Sequence, residues 1–265
     1  MSKAEGEGPV MKGQETISYK RSFLIGMILG DAFVRQRAKH RLTVEWTISH
    51  CEKYADLVEW KRNEFVRLFG IQPPVIHTSP NGEGVKHLFS FTTGKRIRIV
   101  SQWFSKNRRR HLSPKIRFMD HPVGLAMLLC DDGSVRRRKK IHRDGSIYYL
   151  KPSFTIATHS FSLEEVNRLL GHISVTFGIN GIINPERRWR KGERREYYRS
   201  HFNVENSRRL WQSVLPYLPR IPSIRAKFAY AYDCFGCGTA DTHTLFGMGE
   251  DIVQTTNSPG FMAEQ

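Results

Sequence analysis

Two short stretches of this chain are apolar on every side, and each ends in an acid. The first is Phe23-Leu24-Ile25-Gly26-Met27-Ile28-Leu29-Gly30-Asp31. The second is Val123-Gly124-Leu125-Ala126-Met127-Leu128-Leu129-Cys130-Asp131-Asp132-Gly133. A run that is apolar all round predicts a buried helix. Each run also carries small residues four apart, Gly26 with Gly30 and Ala126 with Cys130, a spacing that lets two helix backbones approach closely.

The segments downstream of the two runs repeat as well. After Asp31 the pattern predicts a hairpin, Phe33 to Gln36 and Leu42 to Ser49, around a basic loop Arg37 to Arg41. After Asp132 it predicts Val135 to Ile141 and Ile147 to Thr158 around Arg143-Asp144-Gly145. In the last of these strands Tyr148, Leu150, Phe154 and Ile156 alternate with Tyr149, Lys151, Ser153 and Thr155, which predicts one buried face and one free polar face. A helix comes next in each half, Tyr54 to Phe69 before Gly70 and Ser162 to Phe177 before Gly178. Ser162-Leu163-Glu164-Glu165 has the form of a capping box.

Each half then has a second hairpin. Pro74 to Ser79 and Val85 to Thr92 flank Asn81-Gly82, while Ile179 to Trp189 and Arg194 to Val204 flank Lys191-Gly192. Helices Lys95 to Phe104 and Ser207 to Leu215 close the halves. The chain therefore reads as α+β, α-β-β-α-β-β-α written twice, over residues 18–117 and 118–237. The polar tails 1–17 and 238–265 are expected to be poorly ordered.

Composition narrows the partner. Of 265 residues, 42 are Lys or Arg and 25 are Asp or Glu, for a net charge of +17. Such an excess attracts a polyanion, nucleic acid before membrane, since no basic amphipathic helix stands out. No apolar run reaches the ~18 residues that span a bilayer, and the first 16 residues hold no apolar signal core. A soluble intracellular protein of the cytoplasm, nucleoid or organelle matrix is expected. Four cysteines make no disulfide framework, and the single pair Cys234 and Cys237 falls short of a four-ligand zinc site.

The chemistry is expected at the acids. A carboxylate at a helix C-terminus faces the negative end of the helix dipole, and two of them meeting across a close helix pair repel. A hard divalent cation relieves both effects, so Asp31 and Asp132 are the candidate metal ligands and Asp131 reads as structural. Mg²⁺ is the expected ion, with Mn²⁺ or Ca²⁺ able to replace it. Charge runs in or beside the turns supply candidate DNA contacts: Arg35, Arg37 and Arg41; Arg136, Arg137, Arg138, Lys139 and Lys140; Arg187, Arg188, Trp189, Arg190 and Lys191. Tyr149, Lys151, Arg194, Tyr197, Arg199 and Asn203 interleave with them. A β-ribbon fits the major groove, where Arg holds guanine O6 and N7. His50 and His159 end matching strands and are candidates to position water, or equally strand-end and capping residues.

Leu24 to Ala32 and Leu125 to Gly133 resemble the nine-residue motif of the LAGLIDADG homing endonucleases, with Asp31 and Asp132 at its eighth position. The ending Asp131-Asp132-Gly133 resembles a subgroup whose second motif ends Met-Asp-Asp-Gly, with Cys130 in place of Met. Thr158 to Val166 is also similar to that subgroup, which usually has Gln where His159 stands. The resemblance implies a single-chain, pseudo-symmetric monomer whose motif helices pack at the centre. It implies two curved sheets forming a saddle over double-stranded DNA, and metal-dependent cutting across the minor groove to leave short 3′ overhangs. It assigns a catalytic cation to Lys227. On the first side Lys115 fits the internal repeat, and Arg110 fits the side of Pro114 where the family places its lysine. A maturase binding intron RNA on the same scaffold, or a DNA-binding protein without cleavage, is the alternative.

Overall fold

The computed structural model describes residues 16–35, 44–81, 84–106, 109–190 and 193–236. Its elements run α1 (Ile17–Leu29), β1 (Phe33–Arg35), β2 (Val44–Cys51), α2 (Ala55–Phe69), β3 (His77–Asn81), β4 (Gly84–Thr93) and α3 (Lys95–Trp103). A short ribbon, β5 (Ser105–Lys106) with β6 (Arg109–Arg110), and a 3-10 turn (Pro114–Phe118) lead into the second half. The second half comprises α4 (Val123–Asp132), β7 (Gly133–Ile141), β8 (Ile147–Ile156), α5 (Leu163–Phe177), β9 (Ile182–Arg190), β10 (Glu193–His201), α6 (Val204–Val214), α7 (Pro222–Lys227) and α8 (Ala229–Phe235).

The duplication read from the sequence is present in the topology. One antiparallel sheet has the order β1-β2-β4-β3 and the other β7-β8-β10-β9. The helices stop where the sequence predicts, with Gly70 and Gly178 in the left-handed region at φ 60° and 67°. Ser162 and Glu165 form the reciprocal capping box at the start of α5.

Three differences from expectation bear on the candidate site. β10 ends at His201, because the Asn203 side chain accepts the backbone N–H of Asn206 and starts α6. Asn203 is therefore a helix cap and not a strand residue. Ser153 and Thr155 are buried, not on a free polar face. Thr155 Oγ1 lies 2.7 Å from Ser134 Oγ, so a hydroxyl pair satisfies the face of β8 turned away from Phe154 and Ile156. Finally, α1 ends at Leu29 with Gly30 as its cap, leaving Asp31 just beyond the helix, whereas α4 contains Asp132.

The motif helices α1 and α4 lie against one another at the centre, buried from Ser22 to Leu29 and from Val123 to Cys130. The closest approach uses Gly26 against the Gly124 backbone and Gly30 against the Asp131 side chain, not the Ala126/Cys130 pair. A Cβ at Gly26 would fall inside van der Waals contact with the Gly124 carbonyl, and backbone cannot swing aside. Gly26→Ala is expected to lower stability by about 1–3 kcal/mol or more, read as a fall in the denaturant midpoint. An unchanged midpoint would contradict this packing.

The second half clamps α1 at both ends. Arg21 Nη2 lies 2.7 Å from Asp120 Oδ2 near its start, and the Asp31 N–H donates to Asp131 Oδ2 at 2.9 Å at its end. The acids are thus fixed by packing across the interface of the halves. Among the described residues, no helix is long and apolar enough to cross a membrane.

Candidate active site

At the end of the α1/α4 pair three carboxylates converge from two segments: Asp31 from one side, Asp131 and Asp132 from the other. Burial pushes Asp31 up from its ordinary value, and the Asp131 charge adds to the effect. Burial, then Asp31 and Asp131, pushes Asp132 up to about 7. Asp131 goes the other way. Its burial alone would raise it, but the Lys61 ammonium and the Asp31 N–H hold it down as a carboxylate. Lys61 and Asp131 are both fully buried, and Lys61 Nζ pairs directly with Asp131 Oδ1.

His50 completes this cluster. It lies on the core face of β2, two residues on from Ile48, so strand alternation delivers it to the acids. Lys61 Nζ donates to His50 Nε2 at 2.9 Å. An ammonium has no acceptor, so Nε2 must be unprotonated and the ring proton sits on Nδ1. Nδ1 lies 3.5 Å from Asp31 Oδ2. Burial, then Lys61, lowers His50 to about 3, which keeps the imidazole neutral. His159, by contrast, lies 3.3 Å from Glu186 and edge-on to Tyr197, and is engaged by β9 and β10.

Two cations flank the acids in matching fashion. Lys227 Nζ donates to the carbonyls of Cys130 (2.6 Å) and Asp131 (3.1 Å), the two residues before Asp132. Arg110 Nη1 donates to the carbonyls of Leu29 (3.1 Å) and Gly30, the two residues before Asp31. Each cation thus satisfies the free carbonyls at one motif end. Arg110 also lies 3.9 Å from Asp132 Oδ2. Lys115 is exposed, 5.8 Å from the Phe118 ring centroid, and takes no such position. The internal repeat favours Lys115, yet Arg110 is the geometric counterpart of Lys227.

An open cavity of about 390 Å³ lies over this arrangement, lined by Asp31, His50, Tyr54, Asp131 and Lys227 among others. Ligand atoms of Asp31, His50 and Asp131 lie within 4.8 Å of one another. Hard carboxylate oxygens held together against their own repulsion suit a hard divalent cation. Asp131 is already neutralised by Lys61, so Asp31 and Asp132 are the carboxylates with charge left to balance.

The basic ribbons divide by face. On β9 and β10, Arg187, Trp189 and Arg194 share a side with Ile183 and Tyr198, which pack on the core. Arg188, Tyr197 and Arg199 point to the opposite side. Glu186 there binds Arg188 (2.6 Å) and Arg199 (3.0 Å), while Arg187 meets Glu196 at 3.4 Å. Trp189 is 76% exposed near the ribbon tip, and Arg190 ends β9. On β7, Arg136, Arg138, Lys139 and Lys140 are exposed, as is Lys151 on β8. Arg137, also exposed, lies over the rings of Tyr149 (3.7 Å) and of Tyr230 on α8 (5.2 Å), on the side of the ribbon that carries α8. Arg35 pairs across the strands with Glu45. Arg37, Arg41, Lys191 and Cys237 lie outside the described residues.

Lys61 is the residue that sequence reasoning missed. Its signal was available: the buried face of α2 is Leu57, Val58, Lys61, Phe65 and Leu68, so a lysine occupies a helical apolar stripe.

The family model described as "LAGLIDADG DNA endonuclease family" matches residues 21–210. No curated protein matches. Among solved structures, the homing endonuclease I-WcaI bound to its DNA recognition sequence is 21% identical, over 84% of this chain and 94% of its own, with a TM-score of 0.58. I-DmoI in complex with DNA and Ca is 11% identical, over 80% of this chain and 98% of its own, with a TM-score of 0.50. Both likenesses are in the fold.

Proposed function

The chain belongs to the LAGLIDADG DNA endonuclease family, and from that premise we propose that it is a homing endonuclease of the single-chain form, with halves 18–117 and 118–237, that acts as a monomer. It cuts double-stranded DNA across the minor groove to leave short 3′ overhangs. The ending Cys130-Asp131-Asp132-Gly133 is read as a variant of the Met-Asp-Asp-Gly subgroup. I-WcaI is bound to its recognition sequence and I-DmoI to DNA with Ca, and we extend both partners to this chain.

The observation that carries this reading is the matched pair of sites at the motif ends: an acid, with a cation on the two carbonyls before it, in each half. Asp31 and Asp132 would hold Mg²⁺, with Mn²⁺ or Ca²⁺ able to take the same oxygens. The bound ion supplies a water of lowered pKa and a counter-charge for the leaving 3′ oxygen. Neutral His50 presents its Nδ1 proton to the Asp31 carboxylate, 3.5 Å away. Lys227 and Arg110 place positive charge beside the acids, where the phosphate gathers negative charge as it reacts. The outward side chains of the two sheets bind the duplex, Arg136, Arg138, Arg188 and Arg199 among them.

The test is a Mg²⁺-dependent cleavage screen on a randomised duplex library, where a recurring double-strand cut is expected. Folded protein that produces no cut at any site would sink the reading. The flanking cations give a sharper comparison. Lys227→Met and Arg110→Met are each expected to slow cleavage by about 10²–10³-fold. Lys115→Ala should change it by less than about threefold, as an exposed cation outside the site. Strand-resolved cleavage rates check both, and a large Lys115 effect would reverse the assignment of the first-half cation.

A further inference from the structure

The two motif ends are alike in their acids and cations but not in what stands behind them. Lys61 Nζ pairs with Asp131 Oδ1, and Asp131 Oδ2 accepts the Asp31 N–H at 2.9 Å. Lys61 Nζ also donates to His50 Nε2 at 2.9 Å, and His50 Nδ1 faces Asp31 Oδ2 at 3.5 Å. Three hydrogen bonds and this 3.5 Å approach link the four residues in a ring, so Lys61 reaches Asp31 by two routes, one through its backbone and one toward its carboxylate. Lys61 has no exposure and neither does the Asp131 carboxylate. Such a pair costs desolvation and is weak evidence of a gain in stability.

Among the described residues, the second motif end has no counterpart of this ring. α2 and α5 are both 15 residues long and end in the same Phe-Gly-Ile, so the seventh residue of each corresponds: Lys61 in one, Leu169 in the other. Leu169 is 1% exposed and ordinary core. Gly30 corresponds to Asp131, each preceding its acid, and has no side chain to offer. His159 corresponds to His50 and faces Glu186. Asp132 therefore has Arg110 at 3.9 Å and no buried ring behind it.

We propose that Lys61 is a positioning residue that, through Asp131 and His50, orients Asp31 alone, so that the two DNA strands are cut by unequally supported centres. This rests on the endonuclease reading, with each acid serving one strand. Misplacing a reacting group by about 1 Å costs on the order of 100-fold in rate. Loss of the ring should therefore slow the strand that depends on Asp31 and spare the other.

The experiment measures nicking of each strand separately, on a duplex end-labelled on one strand or the other. The strand slowed more by Asp31→Asn is taken as the one Asp31 serves. Lys61→Met leaves a buried carboxylate unpaired and endangers folding, so Lys61→Met with Asp131→Asn is the informative variant. It is expected to slow the Asp31-dependent strand by about 100-fold and the other by less than about threefold. Equal slowing of both strands, or slowing of neither, overturns the proposal. A second readout needs no cleavage: the ¹⁵N shifts of His50 in the metal-free, DNA-free protein. Wild type should show the Nδ1–H tautomer, and the double variant a mixture or the other tautomer. An unchanged tautomer also overturns the ring. Failure of the wild type to cut any DNA would fall on the endonuclease reading, and the nitrogen shifts would then decide the ring by themselves.

Discussion

Asp31→Asn and Asp132→Asn are each expected to slow cleavage by about 10³-fold or more while leaving target binding intact or slightly tighter. Asparagine keeps the shape of the side chain and removes the charge that would hold the ion. Binding is expected to survive because the side chains proposed to grip the duplex lie on the strands, outside the acid cluster. It tightens to the extent that Asp31 and Asp132 are ionised, since each substitution removes a carboxylate that repels phosphate. The double variant should bind and not cut at all. Fluorescence anisotropy on the target, beside a cleavage time course in Mg²⁺, separates the two properties. Metal-dependent double-strand cutting by the double variant would remove these acids from the mechanism, and loss of binding would show that the substitutions damage the fold.

Much of this arrangement was legible in the sequence because the motif helices must be buried on all sides. That requirement leaves a mark no amphipathic helix leaves, and its duplication placed Asp31 and Asp132 at equivalent positions. Strand alternation and capping chemistry carried most of the remaining elements. Most of the misses have one cause: they concern contacts between segments far apart in the chain. Lys61 lies 70 residues from Asp131, and only the packing of α2 against the α1/α4 pair shows why a lysine is tolerated in an apolar stripe. Arg110 could not be separated from Lys115 by spacing, since the choice depends on which side chain reaches the carbonyls of Leu29 and Gly30. The stacking of Arg137 on Tyr149 and on Tyr230 of α8 is likewise a contact that spacing along the chain does not show. The strand boundary at Asn203 was a local error: an Asn two residues past a strand, just ahead of a helix pattern, is a cap signal that the strand alternation overrode.

The acid cluster also sets how the metal-free protein should respond to pH. Asp132 titrates at about 7 in the folded protein, against 3.8 for the free side chain. A carboxyl whose folded pKa is raised favours the folded state most when protonated. Its contribution is therefore complete below about pH 4 and is lost as pH rises through 7. Asp31 shifts in the same direction and adds to the loss. Asp131 has the opposite sign, being held down by Lys61, and its contribution is lost only as pH falls through its depressed value. Between pH 5 and 8 the raised pair should dominate, since each tenfold change in proton affinity corresponds to about 1.4 kcal/mol. For a protein of this size each kcal/mol moves the unfolding midpoint by roughly 2–4 °C. With EDTA present, the wild-type midpoint minus that of Asp132→Asn should fall by about 5–10 °C over that range. Added Mg²⁺ should restore most of the difference at pH 8 in the wild type and little of it in the variant, because the ion stabilises the ionised carboxylates that repel one another without it. The subtraction removes groups shared by both proteins, such as the surface carboxylates. Parallel pH profiles for the two proteins, or a Mg²⁺ effect of equal size in both, would show that Asp132 neither carries the repulsion nor binds the ion.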